Sequence, residues 1–161
     1  NDGEGTFCRI DGLALAGGNQ LADTHTVIDN ARPNCESHQL HKCIVDDKAR
    51  AVFNGKIFVR KDAQKVNAYQ LNRNLLLSES ARVHTKPQLE ILADDVRCSH
   101  GATIGQLDPE QLFYLQSRGF SAEKAKGLLT YAFAAEVIEQ IHVASLVQEL
   151  EEEASRRTQT Q

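Results

Sequence analysis

Residues 43–56 read CIVDDKARAVFNGK, and this stretch decides the fold because three later stretches repeat its pattern. The copies begin at Ile57 (IFVRKDAQKVNAYQ), Leu75 (LLLSESARVHTKPQ) and Glu90 (EILADDVRCSHGAT), so the four starts are separated by 14, 18 and 15 residues. In each copy a short apolar run precedes a polar pair or triplet, then a small residue, then a second short run. The small residues at the seventh place are Ala49, Ala63, Ala81 and Val96.

This order of short strand, polar turn and small inward residue is typical of a β-solenoid. One coil of a solenoid cannot bury its own apolar face, so neighbouring coils stack and share one core. The windows are short for a full turn, and an antiparallel sandwich could also supply four similar strands. The pattern favours the solenoid and leaves the sandwich as the alternative.

The sequence changes character near residue 107, where helical periodicity begins. We therefore expect β coils over residues 1–107 and a helical domain over residues 108–161. Asp108 is a predicted N-cap, Pro109 occupies the first helical position, and Gly119 ends that helix. Ser121 is the predicted cap of a second helix, whose apolar row comprises Ala125, Leu129, Phe133, Val137 and Ile141.

A third helix is expected to start with a capping box formed by Ser145 and Gln148, unless the second helix simply continues. The apolar face of these helices must pack against something. Two interpretations stay open, and different faces can satisfy both. The tail covers the open end of the β body as a cap, or it presents a surface to a partner protein.

Composition limits the function. The net charge of −4 argues against a role in nucleic-acid binding, which would need a basic patch to contact the phosphates. No apolar run approaches the roughly 20 residues of a bilayer-spanning helix, and no Gly-rich phosphate loop indicates a nucleotide site. The four cysteines include no Cys-x-x-Cys pair, which favours a reducing compartment such as cytosol or plastid stroma. A chain that begins at Asn1 and has no Met is expected to be a fragment or a processed protein.

Cys98 and His100 are the first candidate metal ligands. Residues two apart on a strand project from one face, with Cα atoms roughly 6.6 Å apart, so both side chains could reach one ion. A thiolate and an imidazole suit zinc, iron or an iron–sulfur cluster. Two ligands do not hold a metal, so further donors must come from this chain or a second protein. The competing interpretation is a buried thiol beside a surface histidine.

A denser cluster, CESHQLHKC, places Cys35, His38, His41 and Cys43 within nine residues. This spacing is unusual for zinc, whose ligands are usually split into two pairs by a longer loop. We favour a polar turn that leads into the apolar strand at Cys43. His25 is expected on a strand with no assigned role, and His84 and His142 are expected at the surface.

Three stretches together resemble the SufB/SufD family of iron–sulfur cluster assembly proteins. They are residues 23–59 (DTHTVIDNARPNCESHQLHKCIVDDKARAVFNGKIFV), 85–105 (TKPQLEILADDVRCSHGATIG) and 108–119 (DPEQLFYLQSRG), followed by YAFAAEV. The resemblance covers residues from about 12 to about 141. The Cys-Ser-His of 98–100 is similar to the D subunit, whereas the B subunit has a Glu-His-Glu-Ala-Thr stretch that this sequence lacks. The chain is therefore most similar to the C-terminal portion of a D-type member.

The resemblance implies a right-handed parallel β-helix followed by a helical domain. It implies a non-catalytic scaffold that pairs with a B-type subunit, with the C-type ATPase docked through helices within 108–141. It also implies that Cys98 and His100 contribute to a nascent iron–sulfur cluster at the B–D interface. Residues 35–43 receive no metal role from the resemblance.

Two other functions remain as alternatives. A solenoid enzyme acting on polysaccharides would line a groove with acids and basic residues, but here the repeated acids Asp46-Asp47 and Asp94-Asp95 occupy turn places with no recurring base. A purely structural subunit would leave Cys98 and His100 without a role. Pairing of the chain with itself also stays open.

Overall fold

Seven parallel strands form the body of the protein, in a computed structural model that describes residues 1–159. The strands are β1 (Phe7–Ala16), β2 (Leu21–Asn30), β3 (Glu36–Val45), β4 (Arg50–Val59), β5 (Asn67–Leu76), β6 (Arg82–Ile91) and β7 (Arg97–Gly105). Odd-numbered strands make one sheet in the order β1-β3-β5-β7, here called sheet A, and even-numbered strands make sheet B in the order β2-β4-β6. The chain thus alternates between two parallel sheets, which confirms the predicted β-solenoid and excludes the antiparallel sandwich.

Each coil of the solenoid contains one strand from each sheet. Phe7 pairs with Glu36, Glu36 with Asn67 and Asn67 with Arg97, so one coil takes about 30 residues. Each 14-residue window of the sequence repeat therefore spans one corner between the sheets, which is half a coil.

The register of the repeat differs from the observed pairing. The windows from Ile57 and Glu90 are misaligned on both sides of their corner, because the strands pair Ile57 with Leu89 and Asn67 with Arg97. The other two windows align Cys43 with Leu75, whereas the strands pair Cys43 with Asn74. After their turn these two windows are correct, because the strands pair Arg50 with Arg82. The reason is the turn length: residues 77–81 connect β5 to β6, one residue more than residues 46–49 between β3 and β4.

The corners stack residues that adopt left-handed backbone conformations. Gly5, Asn34 and Lys65 have φ of 67°, 59° and 60° at one corner of successive coils. At that corner the Asn34 amide donates to Gln64 O at 2.9 Å. Asn and Gly tolerate this conformation best, and the recurrence fixes where each coil bends.

Inside the solenoid, the middle of sheet A contributes several polar side chains, whereas β4 of sheet B contributes large apolar ones. In β4 the inward side chains include Phe53, Ile57 and Val59, all fully buried. Opposite them lie buried polar residues from β3 and β5: Ser37, Gln39, His41, Gln70, Asn72 and Asn74. Stacked amides can bond between coils, which lets the interior hold these groups.

Three helices follow the strands: α1 (Pro109–Ser117), α2 (Ala122–Ile138) and α3 (Ala144–Gln159). The predicted caps of the first two are confirmed, since Asp108 accepts from the Glu110 amide and Ser121 from the Lys124 amide. Gly119 ends the first helix with φ of 94°. None of the three is long and apolar enough to cross a membrane.

The prediction for the third helix was wrong at its start. It begins at Ala144, and the amides of Leu146 and Val147 both bond to Val143 O, so Ser145 lies inside the first turn. The second helix ends at Ile138, so it does not continue into the third. The predicted row therefore loses Ile141, which lies in the connection.

The helices pack on the outer flank of sheet A rather than over the open end of the solenoid. Ile44 of β3 and Leu75 of β5 point outward and form a core cluster with Ala134, Ile138 and Ala154 of the helices. Leu13 and Leu15 of β1 pack against the same cluster. The expectation that the tail caps the open end is therefore wrong. Strand β7 is the last strand of sheet A.

Candidate functional site

The strand that carries Cys98 and His100 lies at the edge of sheet A. β7 pairs with β5 on one side, and it is the last strand in the sheet order. An edge strand presents unpaired backbone N–H and C=O groups to whatever lies beyond it. The two candidate ligands are thus at a place where a second polypeptide can approach.

Both candidate ligands project toward the interior side of the coil. Cys98 pairs with Ala68 and His100 pairs with Gln70, and both of those β5 residues are buried inside the solenoid. Parallel partners share a face, so Cys98 and His100 lie on the same face of β7. The two side chains therefore lie on a common face, as predicted, and among the described residues no strand pairs with the far side of β7.

Cys98 is half-buried against the apolar core. Its side chain packs on the cluster that includes Ile28, Ile57 and Ala68. Burial raises the pKa of the Cys98 thiol, while a backbone hydrogen bond from Ala68 acts in the opposite direction. Because a metal ligand must be a thiolate, an approaching cation would have to favour its deprotonation.

His100 differs from Cys98 in being exposed. It is one position along a ladder of inward residues that runs Ile10, Gln39, Gln70 and His100 across sheet A. Gln70 and Gln39 below it are buried, and exposure begins only at the last strand. An imidazole at this position is available to a ligand that reaches the end of the coil.

Residues 1–159 contain no group of three or more His, Cys, Asp or Glu side chains that could hold a metal ion. Cys98 and His100 are therefore two donors without a third in the described part of the chain. A four-coordinate site would need donors from outside it.

The cluster from Cys35 to Cys43 does not converge. Residues 36–45 form β3, so the expected polar turn is wrong, and alternation sends His38 and His41 to opposite faces. His38 lies on the outer face within 2.9 Å of Glu36, between Phe7 and Tyr69. Polar residues lie on both faces of β3, because Gln39 and His41 point inward, so the strand lacks the alternation of apolar and polar residues that would have identified it.

His41 is a core residue. Its ring stacks on Phe53 with centroids 4.6 Å apart, and it is 5% exposed. Burial lowers the pKa of His41 to about 4 and raises the pKa of Cys43 to about 11. Both side chains are neutral near pH 7, which suits an interior role. His25 lies on β2 at 2.9 Å from Asp23, as expected for a strand residue.

A buried lysine between sheet and helix is the feature that the sequence did not reveal. The Lys42 side chain is fully buried on the outer face of β3, contacts Glu136 and donates to Phe133 O at 2.8 Å. Arg73 of β5 donates to the same Glu136 carboxylate at 2.9 Å. Apolar neighbours on both sides of Lys42, at Leu40 and Ile44, were the available signal that this face is covered.

Several apolar side chains of the helices are uncovered. None of the α1 residues is buried, and Phe113 and Tyr114 are 72% and 57% exposed. Leu128 of α2 is also exposed. A surface with two adjacent aromatic side chains is typical of a protein contact.

Comparison with known proteins gives one consistent family. A model of the family described as "SUF system FeS cluster assembly, SufBD core domain" matches residues 1–133. An iron–sulfur cluster assembly SufBD family protein of Synechocystis is 50% identical over 155 residues, which is 96% of this chain and 34% of that protein. The iron–sulfur cluster assembly protein SufD of Escherichia coli is 49% identical over 149 residues, 92% of this chain and 35% of that protein.

A chloroplastic protein of Arabidopsis thaliana, ABCI7, is 45% identical over 139 residues, covering 86% of this chain and 29% of its own length. The chain thus spans about a third of the length of the relatives it matches. The family model covers most of the chain, and the identities extend through strands and helices alike. The chain belongs to the SufBD family of iron–sulfur cluster assembly proteins, with D-type members among its relatives.

Proposed function

We propose that the chain is part of a non-catalytic scaffold subunit on which a nascent iron–sulfur cluster is assembled. The observation that carries this proposal is the position of Cys98 and His100, two donors on one face of the terminal strand. The family membership indicates that the ligand is an iron–sulfur cluster, and the open edge of sheet A is where the cluster would reach Cys98 and His100. The cluster is a substrate that passes through the site, with no nucleotide site in this chain.

A B-type SUF scaffold subunit is the proposed partner at this edge. The described residues offer two donors, so the partner would complete the ligand set. Its backbone can pair with the free side of β7, which would bring its own side chains over His100. A second copy of this chain is the alternative partner, since two identical edges would also supply four donors, two Cys and two His.

The C-type SUF ATPase is the proposed partner of the helices within 108–141. The exposed aromatic pair Phe113 and Tyr114 supports this assignment, together with the exposed Leu128. Leu128 lies on α2, which is joined to sheet A through Lys42 and Glu136, and α1 packs against α2. A movement of the helices would therefore be transmitted to β3 and to its neighbour β5.

The proposed location is bacterial cytoplasm or plastid stroma, because the relatives come from bacteria and a chloroplast. Binding to nucleic acid is not proposed, since the net charge is −4. A membrane role is not proposed either.

The test is the iron and acid-labile sulfide content of the full-length protein reconstituted with its B-type and C-type partners. His100→Ala is compared with wild type and with Ser99→Ala, an exposed neighbour that points to the other face of β7. The proposal expects a several-fold loss for His100→Ala and unchanged content for Ser99→Ala, with equal complex mass for all three. Equal iron and sulfide in His100→Ala and wild type would reject it and leave a purely structural subunit.

A further inference from the structure

Gln70 carries a buried oxygen that has no hydrogen-bond partner. The residue is 0% exposed, and its Oε1 atom is buried without a donor. A buried acceptor left unpaired loses its bonds to water without replacement, so such an atom is normally satisfied in the working state of a protein. Since Oε1 is shut off from bulk water, a neighbouring side chain or a buried water has to supply its donor.

The other end of the Gln70 amide is already fixed. Its Nε2 donates to Gln39 Oε1 at 2.8 Å, and Gln39 Nε2 in turn donates to Thr26 Oγ1 at 2.9 Å. These bonds run toward the earlier coil, because Gln39 is the β3 partner of Gln70. With the NH₂ group directed to that coil, the oxygen is left for the later coil.

The next residue on that side is His100. It is the β7 partner of Gln70 in the parallel register, and neighbouring strands lie about 4.8 Å apart. Its imidazole is exposed and lies on the inward face of β7, as Gln70 does on β5. A ring N–H is the donor that Gln70 Oε1 lacks, and His100 is the side chain that the register places beside it.

We propose that Gln70 positions His100 for cluster binding by accepting a hydrogen bond from one ring nitrogen, which leaves the other nitrogen to bind iron. This inference rests on the proposed function of His100. Metal-binding histidines usually donate their second N–H to a nearby acceptor, which fixes the tautomer and the ring orientation. Gln70 is thus a positioning residue with no contact to the cluster.

The amide chain behind Gln70 makes the acceptor rigid. Gln39 and Thr26 hold the amide from the earlier coil, so the plane of the amide is fixed by bonds inside the solenoid and its other end is directed toward the later coil. The polar interior of sheet A then has a role at its end, because it orients the imidazole of His100.

The test uses the full-length protein in its complex and measures the amount of Fe(II) and sulfide retained at limiting iron. Gln70→Met removes the acceptor and keeps the side-chain length. Asn72→Leu is the matched control, since Asn72 is equally buried on the same strand and face but pairs with Ala102. Each substitution is also made in a His100→Ala background.

We expect Gln70→Met to lower apparent iron affinity about tenfold and Asn72→Leu to change it by less than about twofold. In the His100→Ala background, Gln70→Met should cause no further loss, because its effect acts through the imidazole. A purely structural effect of Gln70→Met would persist in that background and would overturn the inference. So would equal losses for Gln70→Met and Asn72→Leu.

A second measurement covers the case in which Gln70→Met does not fold. The experimental structure of the wild-type complex should place a ring nitrogen of His100 about 3 Å from Gln70 Oε1. A separation that excludes a hydrogen bond overturns the inference while the iron dependence on His100 stands. If His100→Ala retains full iron and sulfide, the proposed function fails, and this inference fails with it.

Discussion

Lys42 of β3 and Glu136 of α2 form an ion pair that fixes the helical tail on sheet A. The Lys42 amine also donates to Phe133 O at 2.8 Å and lies 4.3 Å from the centre of the Phe133 ring. The hydrogen bond from Lys42 lowers the pKa of the Glu136 carboxyl, and burial lowers the pKa of Lys42. Since Arg73 bonds to the same carboxylate, one glutamate connects α2 to both β3 and β5.

Removing the carboxylate should cost more than removing the amine. In Glu136→Gln the buried Lys42 charge loses its counterion, and we expect a loss of about 1–3 kcal/mol in the free energy of unfolding, less than for a fully buried pair because Glu136 is half-exposed. In Lys42→Met the carboxylate keeps Arg73, so we expect a loss below about 1 kcal/mol. Denaturant titration of the full-length variants measures both. Unchanged stability in Glu136→Gln would show that this contact does not hold the helix.

Acid should destabilise the fold in part through His41. Its folded pKa of about 4 lies below the ordinary value of 6.5 because the ring is buried. Between these two values the unfolded chain binds a proton that the folded chain does not, so stability falls as the pH decreases from 6.5 toward 4. At about 1.4 kcal/mol per unit, the loss is on the order of 3 kcal/mol.

His41→Leu should therefore make stability less dependent on pH in that range. The exposed His84 provides the control, because His84→Leu should retain the wild-type slope. Denaturant midpoints at pH 6.5 and pH 4.5 give the comparison. If His41→Leu keeps the full acid sensitivity, the account of His41 as a neutral core residue is contradicted.

The interior at Gly55 leaves no space for a side chain. An added Cβ would lie 2.5 Å from Phe53 Cζ and 2.6 Å from Gln70 Nε2. We expect Gly55→Ala to lower the free energy of unfolding by about 1–3 kcal/mol through overpacking. Gly105→Ala, with nothing within 4 Å of its Cβ, should be nearly neutral in the same unfolding experiment. Similar stabilities for the two variants would contradict the observed packing.

The exposed aromatic pair of α1 should be needed for docking of the ATPase. We expect Phe113→Ser combined with Tyr114→Ser to weaken binding of the C-type subunit at least about tenfold, as loss of interface anchors does. The fold should not change, because α1 has no buried residue. Calorimetric titration with the ATPase subunit measures the affinity. Glu123→Ser on α2 is an exposed control, and an equal affinity for all three proteins would move the docking surface elsewhere.

The repeat could be predicted because small residues such as Ala49 and Ala81 recur at equivalent corners, and their spacing is visible in the sequence. The register of the repeat could not be predicted. The turn at residues 77–81 is one residue longer than the turn at 46–49, and this difference is visible only when the strands are paired. Strand β3 escaped prediction for another reason. Gln39 and His41 point inward and are polar, so the alternation that usually identifies a strand is lost.

The position of the tail was also beyond the sequence pattern. Apolar residues at Ile44 and Leu75 face outward, and a strand that is apolar on both faces indicates a covered sheet. That signal names the covered face but not the helix that covers it. The candidate site was predictable as a pair, because Cys98 and His100 are two apart on one strand. The exposure of this pair at the end of the solenoid could not be predicted, because it depends on where the helices pack.

The most direct measurement is the position of iron in an experimental structure of the full-length complex loaded with iron and sulfide. Anomalous scattering at the iron edge locates the metal without assuming its ligands. The account predicts an iron peak within bonding distance of a His100 ring nitrogen, about 2 Å, at the end of β7 where the partner subunit approaches. Iron bound elsewhere in the complex, with His100 free of contact to it, would contradict the account.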